Sequence, residues 1–371
     1  MIVFPAEWNA RKEAVFAALA GVDGGGRRLP AIPVAFRGRP GTAARAEEAL
    51  ARAKRQPQGI GRIVKRALLR GQYDWARRHF EAHPDHVAVA WNGTGGSRRA
   101  FLMGARDAGA ATLFAELAPL PGRITLDPRG VNAESSVPQD PAFFRDWARG
   151  RDTAGWRDAG AGLAARQSRR ADVGQGGGAP PGGPYLFCPL QVPGDSQVTV
   201  FAGWCGGMAG FLSALAAAAP HLPPGWHLRV KEHPSARTRL DLALLVATGR
   251  VIVDNAADSF AQVAGSRGVV TLNSSMGLQA FFWGKPVVVL GRAFWALPGL
   301  AAPVGDQAAL EAAFADAAGL TCDGGLRAAF VAWLAADYYP RFDPATGAFD
   351  RAAFAAKLAQ ARGLSRGPGL R

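Results

Sequence analysis

The chain has 371 residues, 49% of them hydrophobic, a formal net charge of +14 and a mean hydropathy of zero. That length supports two cores rather than one. Apolar runs such as 211–219 fall far short of the ~20 residues a bilayer crossing needs, so the pattern is not that of a membrane-spanning protein. A pI near 10.7 favours anionic partners, although only six of the 43 basic side chains are lysines. No recognition motif and no basic helix interleaved with aromatics is present, which argues against nucleic acid as the partner. Cys188, Cys205 and Cys322 are too scattered for a zinc site or a disulfide framework, so they read as core fillers in a reducing cytosol.

The first 165 residues alternate short apolar strands with helices. Residues 2–5 form a first core strand rather than a signal peptide. Helices are expected over 44–54 and 62–81, a strand over 87–91 ending in Asn92-Gly93, a helix over 98–108, and a strand over 112–114 that leads to Glu116. His83-Pro84 reads as a helix terminator. This rhythm predicts a parallel sheet flanked by helices. Residues 166–184 are rich in Gly and Pro and read as an inter-domain linker. A second αβ domain over 185–330 follows, with strands near 185–188, 227–230, 250–253, 268–272 and 286–290. Residues 331–371 read as a helical segment whose last helix, 350–361, packs back on the first domain. The whole is α/β, GT-B, with two Rossmann-like domains facing a central cleft.

Two stretches carry ligand chemistry. Residues 270–295 read as strand, Asn273-Ser274-Ser275 turn, helix and strand. Hydroxyls and Gly277 at a helix N-terminus present free amides to an anion. Upstream, the strand 226–230 ends in Lys231-Glu232-His233-Pro234, which puts a cation and an imidazole at the carboxyl edge of the sheet, the usual ligand side. Both elements would face one crevice.

These segments resemble the bacterial capsule-polysaccharide glycosyltransferases, which include the Kdo transferases that start lipid-linked capsule chains. The resemblance covers roughly residues 87 to 295. It also runs through Phe114-Ala115-Glu116-Leu117, Thr125–Asn132 and Pro189–Ser196. It implies that His233-Pro234 and Ser274-Ser275 hold a CMP-sugar. Lys231 and His233 would neutralise the departing phosphate, with Asn273 and the amides near Met276 and Gly277 completing the grip and Gln191 and Ser196 adding further substrate contacts. Gln279, where the family usually has glutamate, would reach the ribose. Glu116 resembles the family's acid/base group, although Ala118 replaces the usual glycine. Asp195, in Gln191-Val-Pro-Gly-Asp195-Ser196, resembles the covalent nucleophile of a retaining, two-step transfer. Asn92, in Trp91-Asn92-Gly93, would contact the sugar. Each has a plain alternative: Glu116 a solvated loop glutamate, Asp195 an N-cap, Asn92 a turn residue.

The expectation is therefore a glycosyltransferase, peripheral on the cytoplasmic side of the inner membrane, that moves Kdo or a related 2-keto sugar acid from CMP to a glycan or lipid-linked acceptor. An anionic membrane surface is a further expected partner. No cofactor is expected, and no metal, since no Asp-x-Asp pair is present. The rival readings are a GT-B enzyme using a UDP-sugar, as transferase or 2-epimerase, and a non-catalytic capsule-assembly protein.

Overall fold

The computed structural model describes residues 1–165, 167–176 and 182–365. Two compact units emerge: one from Met1–Ala118, Gly122–Val137 and the segment from Ala335, the other from Pro119–Pro121 and Pro138–Leu334.

The first unit is built on β1 (Ile2–Pro5), β2 (Gly26–Leu29), β3 (Val87–Trp91), β4 (Ala111–Leu117) and β5 (Ile124–Asp127), in the order β2-β1-β3-β4-β5. All pairs are parallel except β4 with β5. Strand residues alternate between two cores, as the pleat requires. Val3, Ala88 and Ala90 face Leu50, Tyr73, Phe80 and Phe101 of the helices Thr42–Ala51, Gly59–Ala82 and Gly96–Asp107. Ile2, Phe4, Val87 and Val89 face Phe16 and Leu19 of helix Ala10–Asp23, together with Phe354 and Leu358 of helix Arg351–Ser365. Each of those last two buried side chains contributes about 1.5–3 kcal/mol, which holds the final helix to the sheet.

The second unit is an all-parallel sheet of β6 (Tyr185–Pro189), β7 (His227–Lys231), β8 (Val251–Val253), β9 (Gly268–Thr271), β10 (Val287–Val289) and β11 (Ala302–Pro303). Its order, β11-β10-β9-β6-β7-β8, reverses direction between β6 and β9, which is the doubly wound Rossmann arrangement. Leu186, Cys188, Val230, Val270 and Val288 pack on Phe211 and Leu215 of helix Met208–Ala218 and on Leu310 and Phe314 of helix Gln307–Ala315. Two Rossmann-like units make the α/β class of fold that the strand and helix rhythm predicts.

The break between the units falls at Val137/Pro138, earlier than the Gly/Pro tract marks. The reason is helix Pro141–Ala148, whose Phe144 stacks edge-on against Phe330 and Trp333 of the second unit. Of the 166–184 tract read as a linker, residues 166 and 177–181 lie outside the described residues. Residues 167–176 are bound to the second unit: Arg169 N–H donates to the Pro234 carbonyl at 2.8 Å, Gly174 N–H to the Asn255 carbonyl at 2.7 Å, and Val173 is buried. Among the described residues, no helix is long and apolar enough to cross a membrane.

Candidate functional site

In a doubly wound sheet, ligands bind beyond the carboxyl ends of the strands where the order reverses, because the connections diverge there and leave a crevice. In the second unit that point lies between β6 and β9. The loops leaving these strands are Leu190–Asp195 and Leu272–Ser274, two of the segments singled out by their residue types. They are tied together: Gln191 Nε2 donates to Asn273 Oδ1 at 2.9 Å, and Asn273 N–H donates to Gln191 Oε1 at 3.2 Å. Asn273 Nδ2 donates to the Gln197 and Phe201 carbonyls, both at 2.8 Å. Both side chains are buried, so these bonds fix the backbone of the crevice, and the amides expected at the substrate are engaged within the protein.

Around this frame stand the smaller groups. Asp195 is exposed and caps the helix Ser196–Phe201, with Oδ1 accepting from Gln197 N–H at 3.0 Å and from Ser196 Oγ at 3.5 Å. Ser274 caps Ser275–Gln279 through Met276 N–H at 3.2 Å, and Ser275 is exposed. That helix is five residues long before it tightens into a 3₁₀ turn over Ala280–Trp283, so the hydroxyls and local amides carry its chemistry rather than a long dipole. Gly277 is required by packing: a Cβ there would lie 2.3 Å from the Trp295 ring. Gln279 Nε2 donates to the Pro119 carbonyl at 3.1 Å.

The third loop follows β7. The imidazole of His233 is half-buried, and its Nδ1 accepts from Ser235 N–H at 3.0 Å. An acceptor at Nδ1 leaves the ring proton on Nε2, which makes Nε2 a donor. Lys231 is placed differently from the phosphate-facing position expected for it. Its ammonium is buried and donates to three carbonyls: Gly174 at 2.7 Å, Asn255 at 2.9 Å and Ala257 at 2.7 Å. Three donors meet three acceptors, so Lys231 staples the 167–176 segment to the sheet edge. Burial lowers its pKa, while Asp254 and Asp258 act the other way.

Sequence reasoning missed the residue between those two. Glu232 is buried and receives Arg170 at 2.7 and 3.2 Å, Leu240 N–H at 3.0 Å and Asn255 Nδ2 at 3.2 Å. Pro234 accepts from Arg169 N–H and from Ser168 Oγ. The His233-Pro234 loop is therefore held by an arginine from within the tract that composition marks as a linker. The signal that was available is the acidic residue inside Lys-Glu-His-Pro, facing an Arg-Arg pair at 169–170.

The remaining predicted residues lie in the first unit. Glu116 is inside β4, opposite Thr125 of β5. Its Oε2 accepts from Asn92 Nδ2 at 2.8 Å and its Oε1 from Leu117 N–H at 2.9 Å. Asn92 leaves β3 with φ of 61° and accepts at Oδ1 from the Thr94 amide at 3.2 Å and from the Thr94 hydroxyl. Asparagine tolerates this left-handed turn better than most residues. Gly93 follows at φ 69°, where a Cβ would lie 2.5 Å from Leu102. The structure thus brings Asn92 and Glu116 together at the carboxyl edge of one sheet. The Thr125–Asn132 stretch has a structural role here: Asp127 is fully buried and accepts from the amides of Arg129, Gly130 and Ser136 and from the Tyr338 hydroxyl.

Two Rossmann-like units, with polar loops at the reversal point of the second, define an α/β protein of the doubly wound class. Residues 163–319 match the family described as capsule polysaccharide biosynthesis protein. The chain is 30% identical over 269 residues to Protein FixF of Sinorhizobium fredii, covering 71% of this chain and 60% of FixF. It is 31% identical over 127 residues to the capsule polysaccharide modification protein LipB of Neisseria meningitidis, 32% of this chain and 30% of LipB. The chain thus spans less than two thirds of either relative. Among solved structures, KpsC of Thermosulfurimonas dismutans, a beta Kdo 2,7 transferase, is similar at 15% identity and a TM-score of 0.47, over 77% of this chain and 89% of that one.

Proposed function

We propose that this protein is a glycosyltransferase that moves Kdo, or a related 2-keto sugar acid, from a CMP donor to a glycan or lipid-linked acceptor of capsule assembly. The observation that carries the reading is the meeting of the loops after β6 and β9 at the reversal point of the second sheet, with the His233 loop on the neighbouring strand β7. The donor nucleotide is assigned to that crevice. His233 Nε2–H, Ser274 and Ser275 donate to the phosphate, where charge grows as the sugar–phosphate bond breaks. Gln191, Asn273, Lys231, Glu232 and Arg170 position these groups and do not touch the donor. The match of residues 163–319 to a capsule polysaccharide biosynthesis family supports the acceptor class.

In the proposed chemistry Asp195, whose Oδ1 is engaged by the Gln197 amide, attacks the anomeric carbon through Oδ2, and CMP leaves with the bonding pair. Glu116 then takes the proton of the acceptor hydroxyl, whose oxygen attacks the same carbon and releases Asp195. Asn92 holds Glu116 through its 2.8 Å bond and orients the carboxylate. Incubation with CMP-Kdo and a Kdo-primed lipid acceptor tests the reading: transfer with release of CMP supports it, and a chain that binds CMP-Kdo without turnover would be an assembly protein.

A membrane surface as partner is supported by helix Gly59–Ala82. Its second half is core, while Ile60, Ile63, Val64 and Leu68 of its first half are exposed by 80%, 58%, 61% and 43%. At 100° per residue these four fall on one stripe, and Arg62, Lys65, Arg66 and Arg70 occupy its flanks and back. Val34 and Phe36 extend the stripe over Gly71, where a Cβ would lie 2.8 Å from the Phe36 ring. An apolar face rimmed by cations suits an anionic bilayer interface, and we assign this face to the inner membrane's cytoplasmic leaflet.

A further inference from the structure

Of the six histidines in the chain, His79, His83 and His86 fall within eight residues at the end of helix Gly59–Ala82 and the start of β3. Helical spacing stacks His79 on His83, with ring centroids 4.6 Å apart, and the turn after Pro84 returns His86 to lie 4.7 Å from His83 and 5.4 Å from His79. One ligand nitrogen from each lies within 4.8 Å of the other two. His86 Nδ1 and His79 Nε2 are already 3.3 Å apart. Two nitrogens bound at about 2.0–2.1 Å to one tetrahedral ion stand about 3.3 Å from each other.

The surroundings favour coordination over a solvated cluster. His83 Nδ1 lies 2.8 Å from the His79 carbonyl, so it donates there and leaves Nε2 with a lone pair. Fixing one ring nitrogen on a backbone carbonyl is how metal-binding imidazoles are usually oriented. His83 is exposed, so its ring can turn inward, whereas buried His79 is held by Trp75, stacked at 5.1 Å. Burial, the two neighbouring rings and Arg27 push His79 down to about 4, and burial likewise lowers His86. A metal binds the neutral imidazole, the form that burial favours at both residues. Asp85 adds a favourable negative charge next to His86.

We propose that His79, His83 and His86 form a binding site for a divalent zinc-class ion with one coordination position left to solvent. The ion would pin the last turn of the long helix to the residue that leads into β3, at the sheet edge opposite the one where Asn92 and Glu116 lie. Its role is to stiffen the first unit rather than to join the transfer chemistry, and it is independent of the proposed donor.

The test uses tag-free, chelator-treated full-length protein titrated with zinc chloride by calorimetry. One ion per chain is expected, with a rise in melting temperature that magnesium does not produce. His83→Ala and His86→Ala should each weaken zinc binding at least about tenfold, by loss of a ligand. Their circular dichroism should match the wild type, since buried His79 is left in place. His233→Ala should retain the site. Cobalt bound in place of zinc should give visible absorption that the His83→Ala/His86→Ala double variant lacks. The proposal is overturned by a wild type that takes no zinc, or by a double variant that binds it as tightly.

Discussion

Gln191 and Asn273 exchange two hydrogen bonds across the point where the second sheet reverses its strand order. They join the loop after β6 to the loop after β9, and with them Asp195 to Ser274. Neither amide has a hydrophobic substitute, because a buried polar group that loses its partner keeps its desolvation penalty.

Asn273→Ala strips partners from Gln191 and from the Gln197 and Phe201 carbonyls. Urea unfolding should show a loss of about 2–3 kcal/mol, from the 1–3 kcal/mol that each orphaned buried group costs after partial relaxation. Asn273→Ala with an unchanged midpoint would mean that water or the backbone replaces the bridge.

Glu232 sets a pH dependence. Burial would raise its pKa, but Arg170, the Leu240 amide and Asn255 outweigh that and hold it below its ordinary 4.5. A carboxylate depressed in the folded state stabilises above its unfolded pKa, and that contribution disappears as pH falls through the folded value. The stability difference between wild type and Glu232→Gln should therefore be full at pH 7 and shrink as pH drops below 4.5. A difference that does not vary with pH would assign Glu232 a packing role only.

Much of this frame was legible and some was not. The apolar runs of β3, β4, β6, β7, β9 and β10 announce buried parallel strands, and the groups at their carboxyl ends announce the crevice. Strand β2, Gly26-Arg-Arg-Leu29, buries only Leu29 and gives no such signal. The antiparallel pairing of β5 depends on a partner that local pattern does not name. Composition makes 167–176 read as linker because Gly and Pro cannot build a core, yet a segment can be held by its own backbone. Gly174, Asn255 and Ala257 offer carbonyls to Lys231, and a lysine's charge in sequence does not tell which oxygens it will meet.

The two carboxylates divide the proposed steps. Glu116→Gln incubated with CMP-Kdo should accumulate a protein-bound sugar mass, since the acceptor hydroxyl loses its base and the second step slows by roughly 10²–10⁴. Adding Asp195→Asn should remove that mass while CMP binding persists. Asp195→Asn with normal transfer would eliminate the covalent route and leave a one-step inverting displacement.

The exposed stripe predicts salt-sensitive adsorption. Cosedimentation with phosphatidylglycerol vesicles should be strong at low salt and fall as salt rises, since each basic side chain near the surface contributes about 1 kcal/mol within a Debye length. Ile60→Ser/Ile63→Ser/Val64→Ser should reduce partitioning at least about 100-fold, because each apolar side chain inserted is worth roughly 1.5–3 kcal/mol. Those residues are exposed, so the fold should survive. Adsorption that ignores both salt and the triple variant would place the contact elsewhere.

Calorimetric titration with CMP, UDP and GDP addresses the assignment of the crevice most directly. CMP should bind, UDP and GDP should bind far more weakly, and His233→Ala should weaken CMP by roughly 10²–10³, as expected on removing one charge-stabilising donor beside a phosphate. Tighter binding of UDP than of CMP, or CMP affinity unchanged in His233→Ala, would contradict the account.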